Sequence, residues 1–232
     1  ITGKETTDSD AETTVPVTGI NPVLLRDGKY NILLDCGLGW GLDTKSKFTH
    51  TSNIKTNLDI FGLVPHDISH VVLSHLHYDH SAGATFSDAA NTTKPTMAFA
   101  EYVVQKEEWL YAVSQMTQPD DATDNPYNLD EMYRLYAEGR FKMINSIIYN
   151  LVPGVQLIRT GGHTPGHQIV RIHDQGETAY FLGDLIPDES TLNEFYYPDA
   201  DTDPLQAKKA RITILRQALE EKALLLFYHS RY

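Results

Sequence analysis

Short apolar runs separated by turn-forming residues set the rhythm of this chain. Val23-Leu24-Leu25 and Ile32-Leu33-Leu34 flank the dipeptide Asp27-Gly28, which predicts a β-hairpin ending at Asp35-Cys36-Gly37. Glycines at 37, 39 and 41 break the second strand. Ile54, Leu58 and Phe61 recur at helical spacing before Gly62, and the helix they predict feeds the apolar strand Val71-Val72-Leu73, which runs directly into His75.

Further along, the pattern predicts a strand over 96–100 and a helix over 101–116. A Pro/Asp/Asn loop follows over 119–128, then a second helical stretch over 129–147. Tyr127, Tyr133, Tyr136 and Phe141 make this region aromatic. Inter-helix packing is the expected use of those rings, and an apolar wall over a substrate pocket is the alternative. After Pro153-Gly154 come three short strands over 155–159, 168–172 and 179–182, the last two joined by Asp174-Gln175-Gly176-Glu177. Pro204 opens a helix, and Leu224-Leu225-Leu226-Phe227 reads as a buried strand leading to His229. Strands with intervening helices and no internal repeat predict an α/β layered fold.

Residues 1–16 are rich in Thr, Asp and Glu with few large apolar side chains, so they are expected to form a flexible arm, with 17–232 as a single domain. The segment at about 97–150 is expected to be a helical, pocket-forming insertion. The chain starts at Ile1 without a signal pattern and stops three residues after His229, so flanking parts of the native protein are expected to be absent. A cytoplasmic setting is the default expectation, and a homodimer is admitted.

Composition narrows the chemistry. Among 232 residues, 19 Lys+Arg face 31 Asp+Glu, a net charge of −12, and there is no basic block; nucleic-acid binding is therefore not expected, because it depends on cationic neutralisation of phosphates. No apolar stretch approaches the roughly 20 residues of a membrane span. One cysteine, Cys36, permits neither an internal disulfide nor a cysteine-rich metal site, so any metal must be held by histidines and carboxylates. Ten histidines are present to do so.

Four of the candidate donors fall within Ser74-His75-Leu76-His77-Tyr78-Asp79-His80-Ser81-Ala82-Gly83. Along an extended chain, residues i and i+2 share a face, so His75 and His77 can converge on one point beyond the strand end. A turn after them lets Asp79 and His80 address a second position nearby. Four donors in six residues serve two adjacent metals more naturally than one. Other candidates also follow strand ends: His163 in Gly161-Gly162-His163-Thr164-Pro165-Gly166-His167, Asp184 after Tyr180-Phe181-Leu182, and His229. Five histidines and two aspartates suit a zinc pair, with manganese, iron or cobalt possible. His167 is expected to hydrogen-bond behind the site, and Cys36 to be a small buried residue of a supporting turn.

The set His-x-His-x-Asp-His, then Gly-His-Thr-Pro-Gly-His, then Gly-Asp, then a late histidine, resembles the metallo-β-lactamase superfamily. That resemblance implies an αβ/βα four-layer sandwich in which two mixed β-sheets face each other under outer helices. It also implies that His75, His77 and His163 hold one metal and Asp79, His80 and His229 a second, with Asp184 bridging. A hydroxide between the two cations would be the nucleophile and Asp79 a proton carrier.

The stretch Pro153 to Gln168, the spacings of 21 residues from His163 to Asp184 and 45 from Asp184 to His229, and Leu58 to His70 resemble N-acyl homoserine lactone hydrolases and the methyl-parathion-hydrolase-like branch. A small-molecule lactone or related ester is therefore the expected substrate. The alternatives are a phosphoester or organophosphate, iron-dependent persulfide oxidation, or a scaffold without turnover. Pro187 stands where lactonase members carry a tyrosine, with Tyr196 and Tyr197 as candidates to replace it.

Overall fold

Alternation along the strands sorts their side chains into layers. In the first sheet Leu33, Val71, Leu73, Tyr102 and Val104 point one way, while Leu34, Val72 and Val103 point the other. A computed structural model describes residues 19–38, 54–87, 92–116, 125–129, 132–192 and 200–231. The arm expected over 1–16, Gly39, Gly41, Tyr196 and Tyr197 lie outside the described residues.

The first sheet comprises β1 (Val23–Arg26), β2 (Asn31–Leu34), β3 (His70–Val72), β6 (Glu101–Gln105) and β7 (Phe141–Ile144), in that order. The β1/β2 pair is antiparallel, whereas β2, β3, β6 and β7 run parallel. The second sheet orders β12 (Leu224–Leu226), β11 (Glu177–Phe181), β10 (Gln168–Asp174), β9 (Val155–Arg159) and β8 (Ile148–Val152). It is antiparallel except for the β11/β12 pair. A small hairpin, β4 (Thr85–Ser87) with β5 (Thr93–Pro95), stands apart.

Leu34, Val72 and Val103 of the first sheet meet Leu157, Val170 and Phe181 of the second in one buried cluster, so the two sheets face each other. The outer face of the first sheet is covered by α1 (Ile54–Ile60), α3 (Lys106–Met116) and α4 (Met132–Ala137), through Ile54, Leu58, Trp109, Ala112, Met132 and Leu135. The outer face of the second carries α5 (Pro204–Glu221), with Ile214 and Ala218 against Ile169, Tyr180 and Leu182. Helix, sheet, sheet, helix is the expected four-layer order.

Two helical expectations are corrected. The segment over 101–116 begins as strand β6, and the helix starts only at Lys106. Residues 129–147 hold the six-residue α4 and then strand β7. The strand expected over 96–100 is a turn between β5 and β6, closed by the Ala100 N–H on the Met97 carbonyl at 3.1 Å. The region from 97 to 150 is therefore not a helical insertion throughout, since β6 and β7 are members of the first sheet. The physical reason lies in β6: it is parallel to both neighbours and buried from Tyr102 to Gln105, so its residues show no period-two alternation.

The aromatic group divides. Trp109 stacks on Tyr136 with centroids 5.0 Å apart and meets Tyr133 and Phe141 at 5.6 and 5.3 Å, which is helix and sheet packing. Tyr127 belongs elsewhere, against His77 at 4.9 Å.

Candidate metal centre

The parallel strands β2 and β3 end side by side, and beyond β3 the chain bends at Ser74 and is extended at His77. There it turns into the short helix α2 (Tyr78–Ser81), whose first turn carries Asp79 and His80. Strand β9 leads into the loop bearing His163, β11 into a tight turn with Asp184, and β12 into His229. Gly183 makes that turn at φ 50°, and a Cβ there would lie 2.8 Å from Nε2 of His167 and 3.0 Å from Cβ of Ser74.

All seven sequence-predicted site residues meet at this sheet edge. The donor atoms of His75, His77, His163 and Asp184 lie within 4.8 Å of one another, as do those of Asp79, His80 and His229. Nδ1 of His77 is 3.2 Å from Nε2 of His163. Asp184 stands between the groups: its Oδ2 is 3.5 Å from His163 Nε2 and 3.9 Å from His75 Nε2, whereas its Oδ1 is 3.1 Å from His80 Nε2 and 3.2 Å from His229 Nε2. Asp79 Oδ2 is 3.4 Å from His229 Nε2 and 3.8 Å from His80 Nε2.

Buried polar atoms ordinarily have partners. Here His75 Nε2, His80 Nε2 and Asp184 Oδ1 are buried without a hydrogen bond, and all three belong to this cluster. Burial, reinforced by the neighbouring imidazoles, pushes His75 well below the usual histidine range; burial and His163 take His77 down to about 3. Both are thus neutral, the form that ligates a cation. Burial opposes charge on His80 too, yet Asp184, Asp79 and Asp35 outweigh it and hold His80 well above that range. Asp184 is held well below the carboxylate range by His80 and His229 despite its burial. Neutral imidazoles at His75 and His77, an ionised carboxylate between two groups, a His80 whose proton a cation would displace, and orphaned buried atoms aimed at the gap form a donor set that fits borderline divalent cations.

The Metallo-beta-lactamase superfamily profile matches residues 15–229. The chain belongs to the metallo-beta-lactamase superfamily. An N-acyl homoserine lactonase of Bacillus thuringiensis is 28% identical to this superfamily member over 185 residues, which cover 79% of this chain and 64% of the relative. The chain thus spans less than two thirds of the length of the curated relatives it matches. A probable metal-dependent hydrolase from Staphylococcus aureus is 27% identical with a TM-score of 0.77, covering 92% of this chain and 75% of that one. AidC, a dizinc quorum-quenching lactonase in complex with a product, is similar in fold at 24% identity and a TM-score of 0.72, covering 93% and 74%.

Behind the seven candidate donors stand further residues, of which Asp201, Arg211 and Tyr228 were not singled out by the sequence reading. Nδ1 of His80 lies 2.7 Å from Asp35, Nδ1 of His163 3.1 Å from Asp201, and Nδ1 of His229 2.8 Å from the Gly19 carbonyl. Each acceptor requires the proton on Nδ1, which leaves Nε2 free to ligate. Arg211 in turn donates to Asp201 at 2.8 Å. Tyr228 donates its hydroxyl to the Asp79 carbonyl at 2.6 Å and stacks on His80 with centroids 3.9 Å apart. His167 hydrogen-bonds behind the site as expected: it accepts from the Asp184 N–H at 3.1 Å and faces Thr160 Oγ1 at 2.8 Å. Cys36 is fully buried, and Pro187 offers its carbonyl to the His229 N–H at 2.8 Å. The three aspartates at 199, 201 and 203 were the available signal for Asp201, but nothing local distinguished it from its neighbours.

Proposed function

We propose that this chain is a hydrolase working with two divalent cations, zinc foremost, and that it opens a lactone such as an N-acyl homoserine lactone or a related ester. One observation carries the reading: the two oxygens of Asp184 divide between two separate histidine groups, as a bridging carboxylate's would. In this reading His75, His77 and His163 hold one cation, Asp79, His80 and His229 the other, and Asp184 bridges them. When bound, two such cations polarise an ester carbonyl and lower the pKa of a water to about 7.

The chain's own residues supply the rest. Asp184 and Asp79 are 15% and 20% exposed at their side chains while His75 and His80 are fully buried, so substrate approaches from the carboxylate side. As the oxygen of the attacking water bonds to the acyl carbon, Asp79 at that opening takes the water's proton and delivers it to the alkoxide released when the acyl C–O bond breaks. Tyr127, 5% exposed, packs on His77 and lies 6.0 Å from Tyr111, giving the site an aromatic flank suited to the apolar part of a small substrate. The acidic balance of the chain fits a small molecule rather than a nucleic acid. Among the described residues no helix is long and apolar enough to cross a membrane.

The test has two stages on the full chain purified without chelator. Elemental mass spectrometry is expected to find two zinc, manganese or cobalt ions per chain. A pH-stat screen is then expected to show one proton released per lactone opened, at rates above those for aryl esters and phosphotriesters. A single iron moves the reading to dioxygen chemistry. Faster phosphotriester turnover replaces lactone by organophosphate, and full metallation with no hydrolysis overturns the enzymatic reading altogether.

A further inference from the structure

Glu108, the third residue of α3, is fully buried and is not one of the seven donors. Its carboxylate joins the two segments that carry the first histidine group. Oε1 accepts from the Leu76 N–H at 3.0 Å, and Leu76 lies between His75 and His77. Oε2 accepts from the Thr164 hydroxyl at 2.6 Å and the Gly166 N–H at 3.2 Å, both in the loop of His163. The Tyr127 hydroxyl reaches Oε1 at 3.4 Å. The fit around it is close: a Cβ on Gly166 would sit 2.2 Å from the Glu108 nitrogen, so only glycine lets the loop approach the start of α3.

A buried carboxylate is expensive unless its oxygens are satisfied, and burial does press the Glu108 pKa upward. Here each oxygen meets a backbone N–H, a donor that cannot reverse its role. We propose that Glu108 is a positioning residue that sets the separation between the His75–His77 segment and the His163 loop, and so tunes the cation position those three histidines form. This inference rests on the two-cation reading above. It also makes a distinction within the site, because the Tyr228 hydroxyl supports Asp79 in the other group and Glu108 hydrogen-bonds to no residue of that group.

The substitution Glu108→Gln tests it without changing volume. Whichever way the introduced amide turns, its NH2 faces the N–H of either Leu76 or Gly166, so one of the two links is lost. The probe is cobalt(II), titrated into the metal-free chain and followed by visible absorption, with binding constants from chelator competition. The parent is expected to take up two ions in distinguishable steps. Glu108→Gln is expected to weaken one step by about 10–100-fold and to shift its absorption band, leaving the other step unchanged. Tyr228→Phe, which removes the hydrogen bond to the Asp79 carbonyl, is expected to weaken the opposite step. Thr164→Val, which removes only the hydroxyl link, repeats the Glu108→Gln effect at smaller size and decides the matter should Glu108→Gln fail to fold.

A Glu108→Gln protein with both steps unchanged, or both weakened alike, overturns the positioning role. A lowered melting temperature with unaltered cobalt spectra assigns Glu108 to general packing and likewise overturns it. A folded parent that takes up no cobalt overturns the two-cation reading itself, and this inference falls with it.

Discussion

Asp35 and His80 lie 45 positions apart, and Oδ2 of Asp35 stands 2.7 Å from Nδ1 of His80 with both side chains fully buried. Asp35 also accepts from the Ser74 N–H and hydroxyl, each at 2.7 Å, so one carboxylate ties the end of β2 to the chain leaving β3 and aims His80. Its backbone is left-handed, at φ 56°, a conformation that costs a non-glycine residue energy and is tolerated here by those three contacts.

Asp35→Gly separates the two roles. Glycine relieves the left-handed backbone but removes the carboxylate, so metal affinity is expected to fall by about 10–100-fold even though the turn itself is eased. Zinc retention during dialysis against graded chelator measures it. Retention equal to the parent's contradicts the role given to Asp35.

Asp79→Asn keeps the size of the side chain and removes its basicity. At saturating metal, kcat for the preferred substrate is expected to drop by about 10²–10⁴-fold with two ions still bound. Full turnover in a fully metallated Asp79→Asn protein removes Asp79 from the proton path.

Asp201 joins His163 to Arg211 in a setting where the Asp201 side chain is 1% and Arg211 8% exposed. Asp201→Ala takes the facing carboxylate away from a buried guanidinium and is expected to cost about 3–5 kcal/mol in urea unfolding of the metal-free chain. Adding Arg211→Met is expected to return part of that loss. A double variant less stable than Asp201→Ala shows that Arg211 contributes mainly through contacts other than Asp201.

The end of α5 is pinned to the second sheet by charge. Glu221 accepts from Arg171 Nε at 3.1 Å and from the Tyr180 hydroxyl at 3.0 Å. Burial is the largest single influence and opposes ionisation, but Arg171, Gln217 and Tyr180 together outweigh it and hold the Glu221 carboxyl below its ordinary 4.5. A depressed carboxylate contributes stability that is complete above the unfolded value and is lost as pH falls through the folded one. Glu221→Gln is therefore expected to cost about 0.5 kcal/mol at pH 7, the scale of a solvated pair, and to match the parent once both are well below pH 4. Burial and then Glu221 push the Tyr180 phenol up to about 12, so the parent loses stability as pH rises above 10, and Tyr180→Phe flattens that alkaline limb. Urea midpoints across pH check both arms.

Leu157 is fully buried between the sheets with Leu34, Val170 and Phe181. Leu157→Ala is expected to cost about 2–5 kcal/mol while leaving metal stoichiometry at the parent's value. Loss of metal without loss of stability contradicts the separation of core from site.

Residues from His75 to His80 are contiguous, so the local chain path alone brought four donors to two neighbouring points, and their convergence was legible from spacing. His163, Asp184 and His229 were legible as strand-end residues because short apolar runs ending in glycine, proline or histidine mark sheet edges. Strands with intervening helices gave only an α/β layered fold, and the four-layer order was what the superfamily resemblance implied. Strand β6 was not legible: Tyr102, Val103 and Val104 are buried on both faces and pass into α3 without a turn signal, so the run of apolar residues suited helix and strand alike.

Tertiary structure alone decided how Asp184 divides its oxygens between two groups. It alone brought Asp35 to His80, Asp201 to His163 and Glu108 to both ligand segments. Those contacts join residues 32 to 58 positions apart; Asp201 and Glu108 have no periodicity or motif of their own, and the turn containing Asp35 does not tell which distant residue it meets. A hydrogen bond between distant segments depends on where two strands happen to end in space, and that is set by the packing of whole layers, not by the residues on either side of the donor or acceptor.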